Sequence, residues 1–80
     1  MKAEIEISLK DGILDPQAKT IFNALHSFGF DCVKDLKITK KMILDLDLND
    51  ANLAQEKLES MAKDLLANPV IENYKIKILA

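Results

Sequence analysis

The sequence predicts an α+β domain in which a four-stranded antiparallel sheet carries two helices on one face. Three observations lead there. Apolar residues alternate with polar ones in two well-separated stretches and again near the end. Two other stretches repeat their apolar residues at helical spacing. The chain is 80 residues long, which is room for one domain over residues 1–80 and not for two.

The first stretch is Ala3-Glu4-Ile5-Glu6-Ile7-Ser8-Leu9. Its apolar side chains fall at odd positions, and a period of two predicts a half-buried strand. Lys10-Asp11-Gly12 ends it. Asp15-Pro16 opens a helix, because aspartate caps orphan N–H groups and proline suits the first helical position. Ala18, Ile21, Phe22, Leu25 and Phe28 recur at helical spacing, and Gly29 supplies a left-handed C-terminal cap. The expected helix runs from Pro16 to Phe28. Val33, Leu36 and Ile38 predict a second strand with a bulge or late start near Lys34-Asp35. Met42, Leu44, Leu46 and Leu48 alternate with Ile43, Asp45 and Asp47 as a third. Thr39-Lys40-Lys41 between them is short enough for a hairpin.

Asn49-Asp50 caps a second helix with the stripe Ala54, Leu58, Met61 and Leu65, flanked by Ala51 and Ala62. Asn68-Pro69 stops it. Tyr74, Ile76 and Ile78 then alternate with Lys75 and Lys77 as the last strand. The order βαββαβ is that of ferredoxin-like domains. Right-handed crossovers put both helices on one face and order the strands as last, first, third, second. On the open face, Lys75 and Lys77 then neighbour Glu4 and Glu6, with Asp45, Asp47 and Lys37 on the strands beyond.

Composition excludes several function classes. The 11 basic residues are all lysine, against 13 acidic ones, for a net charge of −2. Arginine supplies the bidentate fork for phosphates and guanine edges, so its absence argues against a nucleic-acid partner. No apolar run approaches the roughly 20 residues of a membrane span. The beginning of the chain alternates from the outset and has no signal-peptide pattern, so the expected location is the cytoplasm. One cysteine, Cys32, excludes an intrachain disulfide and a multi-cysteine metal site.

Candidate chemistry is sparse. His26 is the only histidine, with no acid or nucleophile at local spacing, and reads as a boundary residue on the first helix. Cys32 reads as a small packed hydrophobe. Asp45 and Asp47 share a strand face and read as solvated. Lys34, Lys37, Lys40 and Lys41 cluster near the hairpin, diluted by Asp31 and Asp35. Phe22, Phe28, Phe30 and Tyr74 mostly occupy core-like positions and offer no stacking platform for bases. No glycine-rich phosphate loop or Cys-x-x-Cys motif occurs. The residues therefore describe a binding domain without a catalytic constellation.

Three stretches are more particular: Leu14-Asp15-Pro16-Gln17, Leu25-His26-Ser27-Phe28-Gly29-Phe30, and Leu66-Ala67-Asn68-Pro69-Val70-Ile71-Glu72-Asn73-Tyr74. Together, and at their spacing, they resemble the PurS family, the small subunit of phosphoribosylformylglycinamidine synthase (formylglycinamide ribonucleotide amidotransferase). Val33-Lys34-Asp35 and the segment after it look similar too. The chain departs in having Ala18 where the family often has glycine, and Ile38-Thr39-Lys40-Lys41 where it often has a glycine and an arginine or lysine.

The resemblance implies a non-catalytic subunit of a glutamine-hydrolysing, ATP-dependent ligase complex in de novo purine biosynthesis. It implies a bridge between a glutaminase subunit and a large synthetase subunit that assists ammonia transfer. This chain itself would hold no cofactor, with ATP and magnesium in the synthetase. Asp15, Pro16, Gln17, His26, Asn68 and Pro69 become the interface candidates. Their alternative roles are capping and turn formation. The competing reading is a small-molecule-binding regulatory domain of the same fold, which calls for more glycine after the first strand than Gly12. Small size and two proline-free edge strands predict a homodimer or higher assembly.

Overall fold

The structure is a computed structural model that describes residues 1–79. Strand β1 (Lys2–Leu9) lies in the middle of a three-stranded antiparallel sheet. It is flanked by β2 (Lys40–Asp45) and β3 (Glu72–Ile78) in the order β2-β1-β3. Helix α1 spans Pro16–Ser27 and helix α2 spans Ala51–Met61. One π turn, Ala62–Leu66, continues α2 and closes with an Ala67 N–H to Ala62 carbonyl bond of 2.8 Å.

Alternation places the core where the period of two requires. Ala3, Ile5 and Ile7 of β1 point to one face and are buried. In register with them stand Leu44 and Met42 on β2, and Ile78, Ile76 and Tyr74 on β3. Helix α2 through Leu58, and the π turn and its cap through Ala62 and Ala67, cover this face. The opposite face carries Glu4 beside Lys77 and Glu6 beside Lys75, as the predicted register demands. On the β2 side Glu4 faces Ile43, Glu6 faces Lys41, and Lys2 faces Asp45. Lys41 Nζ reaches Glu4 Oε1 at 3.6 Å, an exposed pair worth under about 1 kcal/mol. Asp47 lies past the end of β2 and adds nothing to this face.

The helix caps form as the sequence reads. Asp15 Oδ1 accepts from the Gln17 and Ala18 N–H groups at 3.0 and 3.2 Å. Asp50 Oδ1 accepts from Asn52 and Leu53. At the end of α1, Gly29 has φ of 91°. There the Phe30 N–H bonds the Leu25 carbonyl and the Gly29 N–H bonds that of His26, the paired pattern of a left-handed helix end. Phe28 is the cap and not the last helical residue.

The fourth strand does not form within the chain. Residues 31–39 belong to no strand, and β2 begins at Lys40, inside the expected hairpin turn. The reason is chemical. A tight hairpin needs residues tolerant of positive φ, usually Gly, Asn or Asp. Thr39-Lys40-Lys41 has none, so the backbone passes straight through.

The expected placement of both helices over one sheet face fails with it. The substantial packing between elements joins β1 to β2 and β3, and α2 to β3; α1 enters none of it. Only Ala18 of α1 is buried. Phe28 and Phe30 are 81% and 54% exposed, so neither is a core residue. Cys32 is exposed and not packed. The radius of gyration is 16.2 Å and the molecule measures 50 × 26 × 14 Å. A compact chain of this length would have a radius of gyration of about 12 Å. The chain thus has a packed half, made by the sheet and α2, and a projecting lobe, made by α1 and residues 30–39.

Candidate functional site

The six candidate residues occupy three capped corners. The first is the start of α1. Asp15 is committed to its cap, Pro16 takes the first helical position, and Gln17 is exposed. Beside them Leu14 is 72% exposed.

The second corner is His26, about 16 Å along the helix from Asp15 by helical rise. Its Nε2 lies 2.8 Å from the Val33 carbonyl oxygen. A carbonyl only accepts, so Nε2 carries the proton. Nδ1 stands 3.7 Å from Asp31 Oδ1, beyond a good hydrogen bond. The ring packs against Phe22 with centroids 4.5 Å apart. His26 therefore ties residues 31–33 back to α1.

The third corner is the turn after the π turn. The Asn68 side-chain oxygen accepts from the Val70 N–H at 3.1 Å. The Asn68 N–H donates to Glu72 Oε1 at 2.7 Å, and the Asn68 carbonyl accepts from Ile71 and Glu72 N–H groups. Val70, next to Pro69, is 78% exposed. Glu72 was not singled out from the sequence. The signal was present in the Asn-Pro-x-x-Glu spacing, which lets a carboxylate reach back to the turn's first N–H.

Lys10 and Lys37 relate two of these corners. Both border a depression of about 360 Å³ formed by residues 9–15 and the 35–38 segment. Both also border a second, which reaches Pro69 and Glu72. The Asp15 and Pro69 corners thus flank one lysine-bearing ridge, while His26 touches neither depression. Nothing in sequence spacing could have paired Lys10 with Lys37, far along the chain.

On β3, the Tyr74 hydroxyl donates to Glu59 Oε2 at 2.7 Å. That hydrogen bond to a carboxylate raises the Tyr74 pKa above its ordinary 10.0. Glu59 also accepts from the Gln55 side-chain amide. Among the described residues no cluster of three His, Cys, Asp or Glu side chains could hold a metal ion, and no helix is long and apolar enough to cross a membrane. What the arrangement offers chemically is contact. At each rigid corner a large apolar side chain, Leu14, Phe28 or Val70, stands in solvent. Exposed apolar groups on rigid turns suit protein recognition.

Comparison with known proteins gives the same direction. Residues 2–80 match the model of the PurS family, described as phosphoribosylformylglycinamidine (FGAM) synthase. The phosphoribosylformylglycinamidine synthase subunit PurS of Methanocaldococcus jannaschii is 40% identical over 77 residues, covering 96% of this chain and 93% of that protein. The crystal structure of M. jannaschii PurS superimposes with a TM-score of 0.84 at 42% identity, over 95% of this chain and 92% of the other. A chain in the structure of PurLQS from Thermotoga maritima gives a TM-score of 0.86 at 28% identity, over 98% and 95%. Agreement of that extent takes in the projecting lobe as well as the sheet. The chain belongs to the PurS family.

Proposed function

We propose that this PurS-family chain is the small, non-catalytic subunit of a phosphoribosylformylglycinamidine synthase in de novo purine biosynthesis. In this reading it is a cytoplasmic protein that holds a glutaminase subunit against an ATP-dependent synthetase subunit and assists ammonia transfer between them. The observation that carries the reading is the likeness over nearly the whole chain to a component of the T. maritima PurLQS structure. The geometry supports it from another side. Ammonia release from glutamine needs an activated nucleophile, and Cys32 is exposed with His26 occupied by a backbone carbonyl. ATP chemistry needs a phosphate cradle and carboxylates that hold magnesium, and in this reading both lie in the synthetase. The chain contributes surfaces at Asp15-Pro16-Gln17, at His26 and at Asn68-Pro69, and acts as a homodimer or higher assembly.

The test is reconstitution with both partner subunits, assayed first with glutamine and then with free ammonium. Omitting the chain abolishes the glutamine-dependent rate and spares the ammonium-dependent one. An unchanged glutamine rate overturns the bridging role. Val70→Asp or Leu14→Asp places charge at an apolar corner and weakens assembly without unfolding the chain.

A second reading, a regulatory domain that binds a small molecule, draws on the depression bordered by the Lys10–Leu14 loop. It predicts a ligand-induced rise in melting temperature of the isolated chain across a panel of amino acids and nucleotides. The bridging role predicts none.

A further inference from the structure

We propose that the lysine-bearing ridge is the docking surface for an acidic segment of a partner subunit, whose carboxylates meet Lys10, Lys37 and Lys75. The inference rests on the bridging role of the proposed function and deepens it, by naming a surface and the chemistry of the partner that fits it.

Charge on the ridge is uneven. Lys10, Lys37 and Lys75 are exposed and border one depression of about 610 Å³. Among the described residues Glu72 is the one acidic side chain on its border. Its Oε1 already accepts from the Asn68 N–H at 2.7 Å. Three ammonium groups thus stand against one committed carboxylate, in a chain whose net charge is −2. Among the described residues the ion pairs are His26–Asp31 and Lys41–Glu4, and none of the three lysines takes part. Like charges gathered without partners repel, and an incoming anionic group relieves that repulsion.

The backbone holds the ridge in place. The Lys10 N–H donates to the Ile71 carbonyl at 2.8 Å, which ties the end of β1 to the turn after Pro69. Lys75 lies within β3, and Lys37 comes from the segment before β2. Three distant parts of the chain supply the three charges, so the fold gathers them and not a local charge run. Ser8 and Asn73 stand opposite each other in the β1–β3 register and also border the depression. The hydroxyl and the amide can both donate to a carboxylate.

The chemistry selects a protein segment over other anions. Lysine is a compact point charge on a flexible stem, suited to carboxylates spaced along a chain, whereas phosphate recognition favours the arginine fork. The chain has no arginine. Bases need a free aromatic platform, and the ring on this border, Tyr74, is tied by its hydroxyl to Glu59. The depression is open and runs up to Pro69. The next residue, Val70, is 78% exposed, so the charged surface ends at an apolar corner. An apolar anchor beside a polar rim is the common anatomy of a protein interface.

The experiment compares two triple variants of the full chain with the unmodified protein. Lys10→Gln/Lys37→Gln/Lys75→Gln removes the ridge charge and keeps most of each stem. Lys2→Gln/Lys57→Gln/Lys63→Gln makes the same charge change at exposed positions elsewhere. Melting shows that each is folded, and Lys37→Gln alone, outside every helix and strand, repeats the test with a smaller loss. Binding to the two partner subunits is measured at low and high salt. The ridge variant should bind about tenfold more weakly at low salt and lose most of its salt dependence, while the control matches the unmodified chain. Equal binding by the ridge variant overturns the proposal. Omission of the chain would still abolish the glutamine-dependent rate in that case, so failure of the ridge is told apart from failure of the bridge. A peptide of ten glutamates probes the ridge on the chain alone, without the partner subunits. Its binding should be salt-sensitive, lost in the ridge variant and kept in the control. Binding that the ridge variant retains overturns the proposal. So does displacement of the peptide by inorganic phosphate at constant ionic strength, which would assign the ridge to a phosphate ligand.

Discussion

The packed half and the projecting lobe use similar local chemistry and reach different ends. Both helices begin at an aspartate cap. Both halves contain an alternating apolar segment. Yet Ile5 and Leu58 of the packed half are fully buried, while the lobe buries only Ala18 of its helix and leaves Phe28 and Phe30 largely in solvent. The difference lies in which partner each segment meets. β1 is central and finds a strand on either side. Residues 33–38 would need the chain to reverse at Thr39-Lys40-Lys41, and no residue there favours the reversal. Local propensity makes an element; a turn decides whether it meets its neighbour in the same chain.

The largest effect that separates the halves is a core deletion. Leu58→Ala empties a fully buried site and costs about 2–5 kcal/mol, read by denaturant unfolding at fixed protein concentration. Phe22→Ala, on the lobe, removes a half-buried ring. Its main expected effect is weaker self-association, read by sedimentation. If Phe22→Ala destabilises the chain as much as Leu58→Ala and leaves association intact, the contrast between the halves fails.

Asp15→Ala sharpens the comparison at the lobe's own helix. It removes a cap that accepts two N–H bonds and costs about 1 kcal/mol of local helix stability. Hydrogen exchange should report faster amides in the first turn of α1, with the amides of β1 unchanged. Glu72→Ala removes the carboxylate that accepts from Asn68. The expected cost is about 0.5–1.5 kcal/mol, together with weaker binding to the partner subunits through a loosened Val70.

The smallest effect is in pH. The Tyr74 pKa is raised, chiefly by its hydrogen bond to Glu59. The protonated tyrosine is therefore favoured in the folded chain. Its contribution is fully present below the ordinary value of 10.0 and is lost as pH rises through the raised one. Tyr74→Phe should lower stability slightly near neutrality, where that contribution is present, and should abolish the alkaline loss, as followed by melting at stepped pH.

The sequence made β1, both caps, the Gly29 helix end and the Pro69 stop legible, because each follows from residues within a few positions. The register of Glu4 with Lys77 was legible from alternation and strand order. Two things were not. A period of two reads the same in a hairpin and in a straight strand, so Leu36 and Met42 could not reveal whether the chain turns between them. The absence of turn residues at Thr39-Lys40-Lys41 was the signal that weighed against the turn. For the candidate site, the caps at Asp15 and Asn68 were readable, whereas the ridge of Lys10 and Lys37 depends on a fold that brings distant residues together.

The central claim is that the lobe, unlike the packed half, is covered only in the homodimer of the proposed function. Hydrogen exchange of the backbone amides of residues 33–38, followed as the protein is diluted, tests it most directly. The account predicts slow exchange at high concentration and fast exchange once the copies separate, while the β1 amides stay protected throughout. Fast exchange of residues 33–38 at every concentration, or protection that does not change on dilution, would contradict it.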